Sequence, residues 1–317
     1  MKRHSRLCLP AIWMMTNVYR KVNWPLLTGL SFAGSFIAGK YVIIDLQPLT
    51  TAFLRYTIAV FALSGLIFYY KPKSLKVAGK DWPQLACLGL FGVVGYQFFF
   101  FAGLKYTAVI NTSIINAFSP VVTGLGAAIF IKERLIKTNY IGIILALAGV
   151  IILISKGDWE NIAGLNFNIG DILMLGAVIS WAVYAILIKK LLRQYSGFTL
   201  TYYAALFGMV EAGLLCLTED PIPQIQGISR LSIISLLYLG VVATAFGHFL
   251  YNLCIRDIGP TRTSSFVYSI VPLFVALLTY LFFRETVSLI MIASVALIII
   301  GLNFMMRESK FNIPDAE

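Results

Sequence analysis

Charged side chains are scarce in this 317-residue chain: Asp, Glu, Lys and Arg make up 12% of it, about half the share usual in soluble globular domains. That scarcity argues against a soluble enzyme. Histidine is rarer still, at two residues. The four cysteines, Cys8, Cys87, Cys216 and Cys254, are scattered without ligand spacing, which speaks against a zinc or disulfide framework. No His/Asp/Glu/Cys cluster is spaced for a metal, and none is expected. No glycine-rich loop ends in Lys-Ser or Lys-Thr, so nothing marks nucleotide hydrolysis, and no cofactor is expected. Any driving force must come from a gradient.

Apolar sequence is what the chain has in abundance. Hydrophobic residues are 59% of it and the mean hydropathy is +0.84. Ten segments each supply the roughly 20 apolar residues that cross a bilayer: 24–44, 48–70, 82–104, 107–131, 138–155, 170–190, 198–218, 231–255, 261–284 and 287–306. The longest connections, around 156–169 and 219–230, are too short to fold alone. The expected fold is therefore all-α and polytopic, with ten transmembrane helices.

A net charge of +11 would point to nucleic acid in a soluble protein. In a membrane protein it sets orientation, because cytoplasmic loops retain Lys and Arg. With the N-terminus inside, nineteen of the 25 basic residues fall inside and five outside (Lys40, Lys105, Lys156, Arg230 and Arg284), while Arg55 lies within a span. The reading is an N-in, C-in protein of the inner (cytoplasmic) membrane. Its expected partners are the lipid bilayer and a small-molecule substrate, not nucleic acid, with a homodimer left open. Residues 1–23 have a basic start and a short apolar stretch but no small-residue cleavage site. They read as a cytoplasmic tail, with translation from Met14 or Met15 as an alternative, and 307–317 read as a second tail.

The chain also repeats itself. PVVTGLGAAIFIKE runs from Pro120 to Glu133, and PLFVALLTYLFFRE runs from Pro272 to Glu285, an offset of 152 that also superimposes Gly149 on Gly301. FAGSFIAGK (Phe32 to Lys40) matches WAVYAILIK (Trp181 to Lys189) at an offset of 149. A fixed period is a fold-level signal. It divides the chain into residues 24–155 and 170–306 about a linker at 156–169. Each copy holds five spans, an odd number, so the second enters the membrane from the opposite side. Two inverted five-helix repeats are the plan of a secondary transporter.

These residues carry a resemblance to a known family. The blocks AGLKYTAVINTSIINAFSPVVTGLGAAIFIKERLIKTNYIGIILALAGVIIL and RDIGPTRTSSFVYSIVPLFVALLTYLFFRETVSLIMIASVALIIIG resemble the drug/metabolite transporter superfamily, in particular proteins with two EamA-type domains. The first span matches more loosely, since Phe32-Ala33-Gly34-Ser35 lacks the tryptophan that Trp181 supplies in the second half. The resemblance implies a ten-helix carrier that moves small organic metabolites by alternating access, often outward. The paired lysine and arginine of the superfamily's phosphate translocators are absent from the ninth span, which disfavours sugar-phosphate exchange.

Individual residues then separate into candidates. Pro120 and Pro272 sit mid-span, where proline frees the carbonyl four residues earlier, here those of Asn116 and Tyr268. Both read as hinges facing a cavity or as packing kinks. Glu133 and Glu285 read as anchors at the bilayer edge. Arg55 in the second span and Glu211 in the seventh are placed at similar depth with opposite charge, so a gating or coupling pair is expected; the alternatives are a snorkelling arginine and a protonated or crevice-facing glutamate. His248, the histidine within a span, is a candidate proton relay or a packing residue, and its repeat equivalent is Tyr96, beside Gln97. Trp181 and Tyr184, three apart on one helical face, are expected to line the cavity with Asn116, Tyr268 and Gln97. Gly89, Gly92, Gly95, Gly142 and Gly149 are assigned to close helix packing. The reading is a secondary transporter, not an enzyme, that exports an amino-acid or drug-like metabolite with or without proton coupling. Import or exchange is the nearest alternative; a channel or a membrane enzyme is further off.

Overall fold

The structure, a computed structural model, describes residues 9–70, 75–132, 136–158 and 168–306. Among these, nine helices are long and apolar enough to cross a membrane, and a shorter apolar helix completes ten. Spans 1 to 5 are Trp24–Asp45, Pro48–Tyr69, Gly79–Tyr106, Val109–Phe130 and Lys137–Ile154. Spans 6 to 9 are Ile169–Leu191, Gly197–Glu219, Arg230–Ile258 and Pro260–Phe283, and span 10 is Leu289–Phe304. The chain is an all-α polytopic membrane protein. Span ends fall within about three residues of those read from hydropathy, as expected where apolar length sets the element. Glu133 lies outside the described residues.

Helix contacts follow a pseudo-two-fold plan. Span 1 packs on spans 8 and 9 of the other half, and span 6 packs on spans 3 and 4. Spans 2 and 7 pack on each other, as do spans 5 and 10. Each half thus builds its core against the other. Spans 5 and 10 meet backbone to backbone: a Cβ on Gly301 would lie 2.5 Å from the Gly142 carbonyl oxygen, and one on Gly149 would lie 2.8 Å from that of Ser294. Only a hydrogen fits there, and dispersion between close backbones holds such pairs in lipid. A Cβ on Gly89 would likewise meet the Gly208 nitrogen at 2.6 Å, joining span 3 to span 7.

Three features depart from ideal helices, and all lie at the interface between the halves. Spans 3 and 8, repeat equivalents, each contain a π-helical segment, Leu90–Gly95 and Tyr238–Phe246. Such wide turns shift the register of everything after them and recur at functional sites. Span 4 is broken into Val109–Asn116 and Ser119–Phe130, with Pro120 in the first turn of the second piece. Proline is accommodated there because the amide it lacks would be unpaired anyway. Pro272, by contrast, sits inside an unbroken helix, Pro260–Phe283. The two prolines are thus placed differently: one follows a break and the other lies within a continuous helix. The Ser119 hydroxyl donates to Asn116 Oδ1 at 3.1 Å across the break.

Candidate functional site

The first two residues after each π segment are buried at the interface between the halves. In span 3 this places Tyr96 and Gln97, and in span 8 it places His248, all buried. Around them stand Arg55 and Tyr56 of span 2, Phe32 of span 1, Trp181 and Tyr184 of span 6, Tyr251 and Asn252 of span 8, and Tyr268 of span 9. Trp181 is 1% exposed, Tyr184 2% and Tyr268 1%. The rings form one continuous cluster. Trp181 stacks on Tyr184 with centroids 4.9 Å apart, lies 4.9 Å from Tyr96, and lies 5.1 Å from both His248 and Tyr251. Phe32 meets Trp181, its repeat equivalent, edge-on at 5.9 Å.

Hydrogen bonds run through the cluster in three strands. Trp181 Nε1 donates to the Tyr251 hydroxyl at 3.1 Å, which lies 2.8 Å from Ser264 Oγ. Asn252 Nδ2 donates to Tyr184 at 3.1 Å and to Thr201 at 2.8 Å. Arg55 donates from Nε to Thr244 Oγ1 at 2.7 Å and from Nη1 to Gln97 Oε1 at 2.9 Å. Gln97 passes the chain on by donating to Tyr56 at 3.3 Å, and Tyr56 lies 3.5 Å from His248 Nδ1. Asn116, at the break in span 4, donates to Tyr96 at 3.5 Å. The Tyr268 hydroxyl is buried without a hydrogen-bond partner.

The expected pairing of Arg55 with Glu211 is corrected by this geometry. Arg55 turns toward spans 3 and 8, where Gln97 and Thr244 receive it. Glu211 projects from span 7 toward span 3, where a Cβ on Gly89 would lie 2.8 Å from its Oε2, and that oxygen is buried without a partner. Similar depth was not enough; the two side chains leave their helices in different directions. Among the described residues the only ion pair joins Arg256 to Asp257 at 2.8 Å. Arg55, 2% exposed, is thus a buried guanidinium without a counter-ion. At mid-span a charge costs about 2.5–3.5 kcal/mol on insertion scales; two hydrogen bonds and the Tyr56 ring, 5.9 Å from the guanidinium carbon, offset part of that.

Both ends of the inter-half interface are tied. At the Asp45 face, the Glu219 carboxylate accepts from Leu49 N at 3.1 Å, Thr50 N at 2.8 Å and Thr50 Oγ1 at 2.9 Å. It thereby caps the start of span 2, where unpaired amides favour an anion. Asp45 accepts from Ser229 N at 2.9 Å and Ser232 Oγ at 2.6 Å. At the Trp24 face, Tyr195 donates to Asp81 Oδ2 at 2.6 Å and accepts from Ala78 N at 3.2 Å; the hydrogen bond to Asp81 holds the Tyr195 phenol above its ordinary pKa. The repeat-related Lys40 and Lys189 act alike: Lys40 Nζ donates to the Leu104 carbonyl at 2.7 Å and Lys189 Nζ to that of Ile255 at 3.2 Å. Glu285 lies within Coulombic reach of Lys40.

Open space lies off the cluster. A crevice of about 640 Å³ between spans 2, 7 and 8 is lined by apolar residues such as Leu63, Phe198 and Phe249. A pocket of about 440 Å³ between spans 4 and 6, at the Trp24 face, is ringed by Lys132, Lys189, Lys190 and Arg193. The side chains of the centre are themselves buried. The structure gathers Trp181, Tyr184, Tyr268, Asn116, Gln97, Arg55 and His248 into one cluster and leaves Glu211 outside it. Sequence reasoning missed Tyr56, Thr244, Tyr251 and Asn252. The signal for Tyr251 and Asn252 was their spacing of three and four from His248, which puts them on its side of the helix.

Comparison with known proteins agrees with this architecture. The EamA-like transporter family matches twice, over residues 21–155 and 168–307. An uncharacterized transporter of Archaeoglobus fulgidus is 31% identical over 262 residues, covering 82% of this chain and 88% of the relative. The uncharacterized transporter YyaM of Bacillus subtilis is 25% identical, covering 80% and 84%. WAT1-related protein At3g30340 of Arabidopsis thaliana is also 25% identical, covering 77% and 74%. A solved crystal structure shares the fold at a TM-score of 0.64 and 18% identity, covering 90% of this chain and 98% of that one. With both repeats matched, this multi-pass membrane protein belongs to the EamA-like transporter family.

Proposed function

We propose that the protein is a secondary carrier that exports a small organic metabolite across the cytoplasmic membrane by alternating access. The observation that carries this reading is the buried polar and aromatic cluster around Arg55 and Trp181, built by both halves and tied off at both ends. A carrier needs a site that neither solution reaches while both gates are shut, and two gates that break in turn. The wide turns and the broken span 4 supply interruptions next to the site, where irregular backbone is tolerated in a membrane only when it faces protein or a cavity. Placing the Trp24 face in the cytoplasm follows from the basic residues, nineteen of which then lie inside.

Proton coupling is the second part of the proposal. His248 contacts Tyr56 inside the cluster, and Glu211 holds a buried unpartnered oxygen beside span 3; either can exchange a proton as its surroundings open. The test is counterflow in proteoliposomes, with metabolites found by profiling cells that lack or overproduce the protein. Saturable counterflow is expected, accelerated by an imposed pH gradient in the parent and not in Glu211→Gln or His248→Gln. Flux that is linear in concentration without counterflow would instead indicate a channel. Net uptake into cells on overproduction would reverse the assigned direction.

A further inference from the structure

Arg55 has more binding capacity than the protein uses. Its guanidinium offers five N–H donors, and the hydrogen bonds to Thr244 and Gln97 use one from Nε and one from Nη1. The neighbours that face it are the phenols of Tyr56, Tyr96 and Tyr238, with His248 behind Tyr56. No carboxylate among the described residues pairs with it, and the nearest acid expected to do so, Glu211, points elsewhere. A buried guanidinium held by two oriented side chains and left without an anion is an anion site awaiting its ligand, because planar, bidentate recognition of a carboxylate is what this group does best.

The surroundings define the rest of the ligand. Tyr96 joins Arg55 to the rings of Trp181, Tyr184 and Tyr251, which pack on one another and offer apolar area together with hydroxyl and indole N–H groups at fixed positions. The Tyr268 hydroxyl, buried beside Trp181 and Asn116 without a well-formed hydrogen bond, adds one polar group. Off the cluster, at the Trp24 face, the pocket between spans 4 and 6 carries Lys132, Lys189, Lys190 and Arg193, so negatively charged solutes would be concentrated on that side of the protein.

We propose that the substrate is an organic carboxylate carrying a net negative charge, its carboxylate completing Arg55 and its apolar body lying against the Trp181–Tyr184–Tyr251 rings. This rests on the carrier reading above and names its substrate class. An anion leaving a negatively charged interior moves down the membrane potential, so for such a compound the potential adds to the proton coupling proposed above in driving export.

The experiment is ligand-induced thermal stabilisation of the full chain in lipid nanodiscs. The probes are phenylacetate, phenylpyruvate, hexanoate and benzoate, each paired with its neutral amide, with phenylalanine as zwitterion and phenethylamine as cation. A carboxylate that stabilises at least tenfold more potently than its amide is expected, with the effect lost in Arg55→Gln and weakened in Arg55→Lys. The comparison of carboxylate with amide in the parent protein keeps the test decisive if Arg55→Gln does not fold. Equal stabilisation by amide and carboxylate, a preference for the zwitterion or cation, no response to any carboxylate, or a response that survives Arg55→Gln would each overturn the proposal. Nanodiscs with and without phosphatidylglycerol separate a lipid headgroup from a free substrate: saturation of Arg55 by the anionic lipid, abolishing the carboxylate effect, would also overturn it. A carboxylate that binds through Arg55 yet shows no counterflow in proteoliposomes would leave the anion site standing and refute the carrier reading.

Discussion

Glu219→Gln should loosen the closed Asp45 face and leave the rest of the fold intact. Glu219 uses both carboxylate oxygens, on Leu49 N, Thr50 N and Thr50 Oγ1. Glutamine retains one acceptor oxygen, so at least one of these donors meets an amide nitrogen instead. Hydrogen bonds to a charged group contribute about 1.5–3 kcal/mol against about 0.5–1.5 for neutral pairs, and an anion at a helix start adds about 0.3–1 kcal/mol. Glu219 is only half-buried, so solvent screening reduces the sum, and we take the loss as about 1.4 kcal/mol, or tenfold in population. The contact joins the end of span 7 to the start of span 2 and exists only while those ends are together, so the loss falls on the closed state. A reporter lies directly beneath. Ala52 is fully buried and packs with Val94 and Ala212, so Ala52→Cys, in a background without Cys8, Cys87, Cys216 and Cys254, reacts with a charged methanethiosulfonate only when the face opens. Its rate should rise about tenfold with Glu219→Gln and stay unchanged with Asp220→Asn, the adjacent exposed acid. A rate within twofold of the parent, confirmed with Ala212→Cys as a second reporter, would refute the idea that this cap holds the gate.

Other perturbations probe the opposite gate, the site and the scaffold. Tyr195→Phe removes the bonds to Asp81 and Ala78; it should raise the reactivity of Leu200→Cys, buried near the Trp24 face, by about tenfold for a loss of about 1.4 kcal/mol, while leaving Ala52→Cys unreactive. Gly92→Ala would place a methyl 2.3 Å from the Tyr184 ring and displace its stack on Trp181, so it should raise the half-saturation concentration for transport. Gly301→Ala collides with the Gly142 carbonyl at 2.5 Å, far from the rings; it should lower the thermal midpoint, at a cost of about 1–3 kcal/mol, with half-saturation unchanged. Lys40→Met removes the donor to the Leu104 carbonyl and should lower stability by about 1–2 kcal/mol, read as an earlier unfolding midpoint in detergent.

Span positions were legible because bilayer thickness imposes a length that hydropathy records directly. Angular position was not. Arg55 and Glu211 share a depth, yet which way each faces depends on helix rotation and crossing, which one sequence does not encode in a countable way. The same applies to the π segments. Their sequences, LFGVVG and YLGVVATAF, carry a glycine and β-branched residues like many ordinary helices, and the two wide turns pack against different partners, the first on spans 6 and 7 and the second on spans 1 and 2. Pro120 and Pro272 show the limit from the other side. Identical residues at repeat-equivalent positions stand after a break in one half and inside a continuous helix in the other; the Asn116 and Ser119 side chains hydrogen-bond to each other across the break, while the ninth span has Tyr268 where span 4 has Asn116.

That asymmetry locates the chemistry. The duplicated scaffold repeats what any such fold requires: the small residues between spans 5 and 10, the lysines that cap spans 3 and 8, the wide turns in those same spans. The central cluster does not repeat. Arg55 has Phe207 at an offset of 152, Tyr96 has His248, Asn116 has Tyr268, and Phe32 has Trp181 at an offset of 149. A symmetric site would present two equal halves to a substrate and would bind it in two orientations with equal energy. Here the cation stands in one half and the hydrogen-bonded Trp181–Tyr251–Ser264 strand in the other, so a ligand with a charged end and an apolar body has one favoured orientation. On the proposed carrier reading, the gates can then remain nearly symmetric, as alternating access requires, while the site between them is polar on one side and aromatic on the other.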